Sequence, residues 1–138
     1  MSDPIAFACP CGAVTGSVAS APAFLHDCNC SFCSPRDAYW GYFPPAHVSI
    51  AGETLGDVRD DRVPMAEMHR CASCGTTTHF VLTEAAQAFH GNVVTGVNMK
   101  LASPAALDGV ELRHPDGRNW SGNGEVDYVR PHRKLGNA

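Results

Sequence analysis

The sequence lacks any long apolar run, which limits where the protein can act. No segment of its 138 residues approaches the roughly 20 apolar residues that a membrane-spanning helix needs. Residues 1–5 contain neither a basic region nor an apolar stretch, so they do not resemble a secretory signal. The sequence therefore predicts a cytoplasmic protein with no membrane partner.

Basic charge is also scarce in this chain. Ten lysines and arginines stand against 14 aspartates and glutamates, which gives a net charge of −4. The only basic cluster is Arg130, Arg133 and Lys134, in a polar C-terminal tail that we expect to be disordered. Because phosphate neutralisation supplies much of the affinity for nucleic acids, this charge balance argues against a nucleic-acid partner.

Helical periodicity and internal repeats are absent, whereas turn-forming residues are plentiful. The chain has 13 glycines and 10 prolines between short β-branched and aromatic runs. This pattern predicts a mainly β fold with a few short helical turns. The length fits a single domain over residues 1–138, with a core at about 5–120 followed by the tail.

The short runs predict the positions of individual elements. Strands are expected at residues 13–18, 38–43, 47–50, 63–69, 76–82 and 92–101. Helical turns are expected after the potential caps Ser34 and Ser103, because each is followed by a proline that suits the first helical position. Gly109 is placed to end the second turn, and the polar residues 53–61 are interpreted as a surface connection.

Seven cysteines in a reducing compartment indicate metal ligands or redox groups rather than disulfides. Four of them form two close pairs, Cys9 with Cys11 and Cys71 with Cys74. Four thiolates make a closed structural zinc site, and Gly12 permits the positive φ of a tight turn at the first pair. The alternatives are a redox-active pair at Cys71 and Cys74, or cysteines buried as small apolar residues.

The remaining cysteines, Cys28, Cys30 and Cys33, lie within six residues. Three protein ligands leave one position of a tetrahedral zinc open, which is the arrangement of catalytic zinc sites. The alternatives are a second structural site completed by His26 or another histidine, or a disulfide with one free thiol. Together with the closed site, this interpretation predicts two zinc ions per chain.

The ligand type indicates the chemistry of the open site. Three thiolates and Zn²⁺ together carry a net negative charge, so this metal would acidify water less well than a zinc held by neutral histidines. Such a soft centre suits a fourth sulfur ligand, and a thiol bound there would lose its proton and remain nucleophilic. The pattern therefore favours attack of a thiolate on a small electrophile, or the reverse carbon–sulfur cleavage.

Several neighbouring side chains are candidates for supporting roles. His26 and His69 each lie two residues before a cysteine, where a histidine either donates to a ligand sulfur or is an ordinary strand residue; we favour the strand interpretation. Arg36 either binds a substrate carboxylate or is solvated or paired with Asp37. Four aromatic residues could line a pocket beside the open site: Tyr39, Trp40, Tyr42 and Phe43. We expect at least two of them to lie in the core instead.

The cysteine pattern resembles that of the glutathione-dependent formaldehyde-activating/CENP-V family. The similarity lies in residues 9–12 (CPCG), 28–33 (CNCSFC) and 69–76 (HRCASCGT), and it extends to residues 96–101 (GVNMKL) and 116–118 (DGR). It covers roughly residues 5–120. Members commonly carry basic residues after the third cysteine of the middle motif, where this chain has SPRD.

The resemblance implies an Mss4-like fold of several small antiparallel sheets with zinc knuckles. It implies structural zinc on Cys9, Cys11, Cys71 and Cys74, and catalytic zinc on Cys28, Cys30 and Cys33. The implied activity is that of a carbon–sulfur lyase that acts on thiol–aldehyde adducts. In the synthetic direction it joins a small-molecule thiol to formaldehyde, as in S-hydroxymethylglutathione synthesis. Glutathione is one candidate for the thiol. The alternative is a non-catalytic, zinc-binding Mss4-like module that interacts with a partner protein. The pattern leaves the oligomeric state and the identity of the thiol open.

Overall fold

Two β-sheets form most of the structure. A computed structural model of the chain describes residues 3–30, 33–60, 63–120 and 125–128. The smaller sheet is antiparallel and has the strand order β1 (Ile5–Ala8), β2 (Thr15–Val18) and β5 (Val48–Ala51). The mainly β class that the composition predicts is confirmed.

The larger sheet contains seven strands and borders both cysteine groups. In spatial order these are β10 (Glu111–Arg113), β3 (Phe24–His26), β4 (Trp40–Phe43), β9 (Thr95–Asn98), β8 (Thr77–Leu82), β7 (Ala66–Cys71) and β6 (Thr54–Asp57). All neighbouring pairs are antiparallel except β10 and β3, which run parallel. Because parallel strands end at the same edge, the residues after β10 lie beside those after β3.

Helical structure is limited to one short α-helix and five 3-10 turns within the described ranges. The helix α1 (Glu84–His90) begins after Thr83, whose hydroxyl accepts a hydrogen bond from the Ala86 amide at 3.2 Å, and it ends at Gly91. The 3-10 turns are Ser34–Arg36, Pro45–His47, Met99–Leu101, Pro104–Leu107 and Gly117–Asn119. In the part of the chain that the structure describes, no helix has the length and apolar character to cross a membrane.

Buried apolar side chains from both sheets form the main core. Its members are Ile5, Phe7, Val18, Leu25, Phe43, Val97, Met99 and Ala102. A second cluster extends towards the middle cysteines: Ala38, Trp40, Met68 and Phe80, with Cys33 and Tyr42 packed against it. Gly96 in β9 makes room for this cluster, since a Cβ there would lie 1.9 Å from Phe80 Cε2.

Each of the six predicted strand regions contains a strand, and the misses have physical reasons. The interpretation of residues 53–61 as a surface connection is wrong in part, because Thr54–Asp57 form β6. As an edge strand, β6 leaves Leu55 and Gly56 exposed, which explains its weak apolar signal. The strands β1, β3 and β10 were not predicted, since each has only three or four residues.

Both expected helical turns form, but their caps differ from the prediction. Ser103 occupies the N-cap position of its turn without a side-chain hydrogen bond to the backbone. The N-cap of the earlier turn is Cys33 rather than Ser34. Gly109 follows the second turn with φ of 84°. The expected disorder of residues 130–134 concerns a segment outside the described residues.

Candidate metal centres

Four cysteine sulfurs meet where the two sheets are joined. Cys9 and Cys11 lie in the turn between β1 and β2, Cys71 ends β7, and Cys74 lies in the turn that leads to β8. All four Sγ atoms are within 4.8 Å of one another. The Sγ atoms of Cys9 and Cys11 are 3.5 Å apart, and those of Cys11 and Cys71 are 3.7 Å apart. The two pairs that the sequence assigns to one site therefore converge.

The two turns that carry these cysteines have matching geometry. The Gly12 amide donates to the Cys9 carbonyl, and the Gly75 amide donates to the Cys71 carbonyl, each at 2.9 Å. The φ angles of Gly12 and Gly75 are 79° and 78°, in the left-handed region that glycine adopts without strain. Each turn thus presents its two sulfurs on the same side.

Hydrogen bonds lower the pKa of two thiols in this four-cysteine cluster. By contrast, the pKa of Cys11 is raised to about 12, because the lowering effect of the Ala13 backbone is outweighed by hydrogen bonding with Cys9 and by burial. The Val14 amide donates to Cys9 Sγ at 3.3 Å, and this bond lowers the pKa of Cys9. Hydrogen bonding with the Thr76 hydroxyl and backbone lowers the pKa of Cys74 to about 6. The thiolate is the form that binds metal, and four soft sulfurs suit a tetrahedral ion. The four-cysteine cluster can therefore hold a metal ion.

Cys28, Cys30 and Cys33 form the second group, in the loop that follows β3. Their Sγ atoms also lie within 4.8 Å of one another, with Cys30 buried and the other two half-buried. The Cys33 amide donates to Cys30 Sγ at 3.1 Å. Within the described residues, no histidine, aspartate or glutamate joins this group. The three-cysteine cluster therefore offers three ligand atoms, without the histidine that a closed site would need.

The three sulfurs oppose one another's ionisation. Hydrogen bonding with Cys30 raises the pKa of Cys28, which hydrogen bonding with Cys33 offsets in part. Hydrogen bonding with Cys28 raises the pKa of Cys33, and burial adds to the increase at both residues. Like charges held together cost free energy that a divalent cation would offset. The donor set therefore fits a bound cation better than it fits three separate thiolates.

A distant turn contacts the three-cysteine cluster, and the sequence analysis missed these contacts. Asn29, between two of the cysteines, donates to Asp116 Oδ1 at 3.0 Å and accepts the Arg118 amide at 3.0 Å. Gly117 lies against Cys28, since a Cβ on Gly117 would be 2.4 Å from Cys28 Sγ. The sequence analysis names residues 116–118 only as part of the family resemblance, because their position beside the cysteines depends on the parallel pairing of β10 with β3.

His26 lies in β3, with both ring nitrogens bonded to tyrosines. Nδ1 is 3.0 Å from the Tyr42 hydroxyl and Nε2 is 3.1 Å from the Tyr128 hydroxyl. Burial, followed by the charge of Arg113, lowers the pKa of His26 to about 4, so the ring is neutral near pH 7. Burial, followed by the proximity of Cys33, raises the pKa of Tyr42. The favoured interpretation of His26 as a strand residue is therefore confirmed.

His69 is also a strand residue with both ring nitrogens engaged. Nδ1 lies 2.9 Å from the Thr54 hydroxyl, and Nε2 lies 2.7 Å from Glu67 Oε1. The ring stacks on that of His79 with a centroid distance of 4.6 Å. These partners leave neither nitrogen of His69 to donate to a cysteine sulfur.

The four aromatic residues in and next to β4 lie partly in the core and partly near the three-cysteine cluster. Trp40 and Phe43 are buried, as the core interpretation requires. Tyr42 is half-buried and packs beside Cys33 on the second cluster. Tyr39 packs against the main core, with Lys100 Nζ 4.4 Å from its ring centroid.

A cavity of about 360 Å³ opens between the turn Ser34–Arg36 and strands β6 to β8. Its lining comprises Pro35, Arg36, Asp57, Met68, His69, Arg70, Gly75 and Thr77. Two arginines and one aspartate give the walls a net positive charge, although Arg70 pairs with Asp57 at 3.0 Å. Asp37, the expected alternative partner of Arg36, pairs with Lys100 at 2.5 Å. Pro35, one of the lining residues, follows Cys33 by two positions in the chain, but no cysteine is among the residues that line the cavity.

Comparisons with known proteins bear on the fold alone. No family model and no curated protein matches the chain. The crystal structure of a Rhodobacter sphaeroides protein matches with a TM-score of 0.58 and 22% sequence identity. The match covers 78% of this chain and 99% of that one. At this identity, the similarity indicates that the two chains share a fold.

Proposed function

We propose that this chain is a zinc-dependent enzyme that forms or cleaves the carbon–sulfur bond of thiol–aldehyde adducts. The cysteine pattern, which resembles the glutathione-dependent formaldehyde-activating family, motivates this assignment. The observation that carries it is the convergence of Cys28, Cys30 and Cys33 within 4.8 Å, with no fourth ligand among the described residues. A metal needs such an open position to bind a reacting group.

Zinc is the metal we propose for both clusters, on the basis of ligand type. Thiolates are soft ligands that suit zinc, and a set of four fills its tetrahedral coordination. The four-cysteine cluster would then be structural and the three-cysteine cluster catalytic. We therefore expect two zinc ions per chain.

The chain's own residues would orient the ligands and limit access of water. When bound at the three-cysteine cluster, zinc supplies a position for a thiol sulfur and favours its deprotonated, nucleophilic form. Cys30 is held by the Cys33 amide, and Tyr42 packs on the side that faces the second hydrophobic cluster. In the synthetic direction, a sulfur–carbon bond forms and the carbon–oxygen π bond breaks. The thiol proton ends on the new hydroxyl oxygen.

A cavity lined by two arginines motivates a proposal for the class of thiol. Arg36 and Arg70 line the cavity, and Arg36 follows Cys33 by three residues. An arginine binds a carboxylate through paired, charge-assisted hydrogen bonds. We therefore propose a thiol that carries a carboxylate, a class that includes glutathione, and a small aldehyde such as formaldehyde.

The test is the rate of adduct formation between glutathione and carbon-13-labelled formaldehyde, followed by exchange NMR on protein that carries two zinc ions. We expect acceleration proportional to enzyme concentration. Cys30→Ser is the matched control, which should keep the structural zinc and the fold but give no acceleration. Equal exchange rates for the wild type and Cys30→Ser would overturn the proposal.

A panel of thiols separates the proposed enzyme from the non-catalytic alternative. Cysteine, coenzyme A and mercaptoethanol would each be offered with formaldehyde and with larger aldehydes. If the chain binds two zinc ions and accelerates none of these reactions, a module that binds a partner protein becomes the better interpretation.

A further inference from the structure

The turn after β10 forms one wall of the three-cysteine cluster. In the parallel pair, Arg113 of β10 lies beside His26 of β3, so both strands leave the sheet at the same edge. The Asp27 amide continues this pairing by donating to the Arg113 carbonyl at 2.9 Å. Residues 115–117 are buried as a result, next to the loop that carries the cysteines.

Gly117 lies too close to Cys28 to carry a side chain. A Cβ at this position would be 2.4 Å from Cys28 Sγ and 3.3 Å from Cys30 Cβ. Gly117 is not among the glycines with positive φ, so the conflict of an alanine here is one of space rather than of backbone strain. The atom that would have to move is one of the proposed ligand sulfurs.

Asp116 connects the same turn to the residue between two of the cysteines. Its side chain is buried, with Oδ1 accepting from Asn29 Nδ2 at 3.0 Å and Oδ2 accepting from Asn119 Nδ2 at 2.7 Å. The amide oxygen of Asn29 accepts the Arg118 amide at 3.0 Å. Both ends of the Asn29 side-chain amide are therefore bonded to this turn.

We infer that Asp116 and Gly117 are positioning residues for the three-cysteine cluster: Asp116 holds Asn29 in place, and Gly117, by lacking a side chain, leaves the space that the Cys28 sulfur occupies. Neither residue supplies a ligand. The expected effect on metal binding rests on the proposed function, whereas the contact itself does not. Residues that support metal ligands commonly change metal affinity by roughly 10- to 100-fold when substituted, and a change of this order is expected here.

The first experiment measures zinc affinity by competition with chelators of graded strength in the wild type, Gly117→Ala and Gly56→Ala. Gly56 is the matched control, since the three atoms nearest to a Cβ there all belong to the Glu67 side chain rather than to a cysteine. We expect Gly117→Ala to weaken one zinc by roughly 10-fold or more while the other zinc is unchanged. Gly56→Ala should change neither. Loss of both zinc ions together, or of neither, would overturn the inference.

Substitutions of Asp116 test the hydrogen bonds separately from the steric contact. Asp116→Ala should weaken the same zinc as Gly117→Ala. Asp116→Asn should restore most of the affinity, because an amide oxygen can still accept from Asn29 and the Asn119 amide can rotate to match. If Asp116→Asn binds zinc no better than Asp116→Ala, the hydrogen-bond role is wrong.

A second readout needs no metal at the three-cysteine cluster. On protein that carries one equivalent of zinc, alkylation of Cys28 and Cys33 is mapped by mass spectrometry. Gly117→Ala should raise the modification of Cys28 relative to Cys33, because the added methyl group displaces the Cys28 sulfur; an unchanged ratio would contradict the contact. A wild type that never binds a second zinc would refute the proposed function, and this ratio would still decide the inference.

Discussion

At the scale of single residues, the proposed role of Arg36 in binding the thiol's carboxylate can be tested through the KM for glutathione. Arg36 lines the cavity between the turn Ser34–Arg36 and strands β6 to β8 and follows Cys33 by three positions in the chain. Hydrogen bonds to charged groups contribute about 1.5–3 kcal/mol, so Arg36→Ala should raise KM for glutathione roughly 10-fold or more. The measurement is steady-state kinetics with glutathione and with a thiol that lacks a carboxylate, for which KM should not change.

The matched control for this prediction is Arg59→Ala, which removes an arginine outside the cavity lining. It should leave KM for both thiols unchanged. An equal rise in KM for the acidic and the neutral thiol would argue against carboxylate recognition by Arg36.

His79 is a second residue whose environment predicts a measurable effect. Burial, followed by the proximity of His69, lowers its pKa from 6.5 to about 4. Between pH 6.5 and 4, the unfolded chain therefore binds a proton at this residue that the folded chain does not. Stability should fall as the pH falls through this window. Two further neighbours are uncharged: the Thr78 hydroxyl, at 2.8 Å from His79 Nδ1, and Val97, opposite His79 in β9.

His79→Gln should reduce this acid sensitivity. The measurement is urea unfolding of zinc-loaded protein at several pH values. Protonation of the cysteine thiolates affects the wild type and His79→Gln equally, so it cancels when the two proteins are compared. The free energy of unfolding should depend less steeply on pH between 6.5 and 4 than in the wild type. His47→Gln, at an exposed position, should follow the wild type. Parallel curves for the wild type and His79→Gln would contradict the assigned cause.

At the scale of elements, α1 depends on a single cap. The Thr83 hydroxyl accepts from the Ala86 amide at 3.2 Å and donates to the Pro64 carbonyl at 2.7 Å. Thr83→Ala should lower the free energy of unfolding by about 1–2 kcal/mol, since it removes both bonds. Chemical denaturation measures this loss. Thr83→Ser keeps the hydroxyl and should lose much less; equal losses would argue against the cap.

Elements that are specified by local composition were predictable, and those specified by partners were not. β8 was predictable because five of its six residues are β-branched, aromatic or apolar. By contrast, β3 and β10 have three residues each and depend on pairing with neighbouring strands, including each other. The cysteine spacing likewise predicts which sulfurs converge, because the ligands of each group lie on short turns. Gly117 gives no such signal, since its contact with Cys28 spans 89 positions of the chain.

At the scale of the whole molecule, the four-cysteine cluster joins the two sheets. Its sulfurs come from the β1–β2 turn of the small sheet and from the β7–β8 end of the large sheet. Cys9, Val14 and Cys71 are buried together at this junction. A metal here would close a chain segment of about 60 residues, which by loop-closure entropy contributes on the order of 4 kcal/mol.

Cys71→Ser should therefore lower the free energy of unfolding by several kcal/mol, on the order of the loop-closure contribution. Strong chelation of the wild type should have a similar effect. Cys28→Ser is the comparison, since its group closes only a local loop and should change stability much less. The measurement is denaturant unfolding of zinc-loaded protein. Similar losses for the two variants would remove the distinction between a structural and an open site.

The positions of the cysteines along the chain also determine the order in which the two clusters can form during synthesis. Five cysteines, at positions 9, 11, 28, 30 and 33, are translated before either cysteine of the pair Cys71 and Cys74. The loop that carries Cys28, Cys30 and Cys33 is complete once residue 33 has been made. The turn that packs against it is missing until residue 117 follows. The nascent chain therefore passes through a stage in which its sulfurs are exposed to oxidants and to competing metals. If both clusters hold zinc as proposed, correct assembly would depend on zinc and reducing conditions at the site of translation.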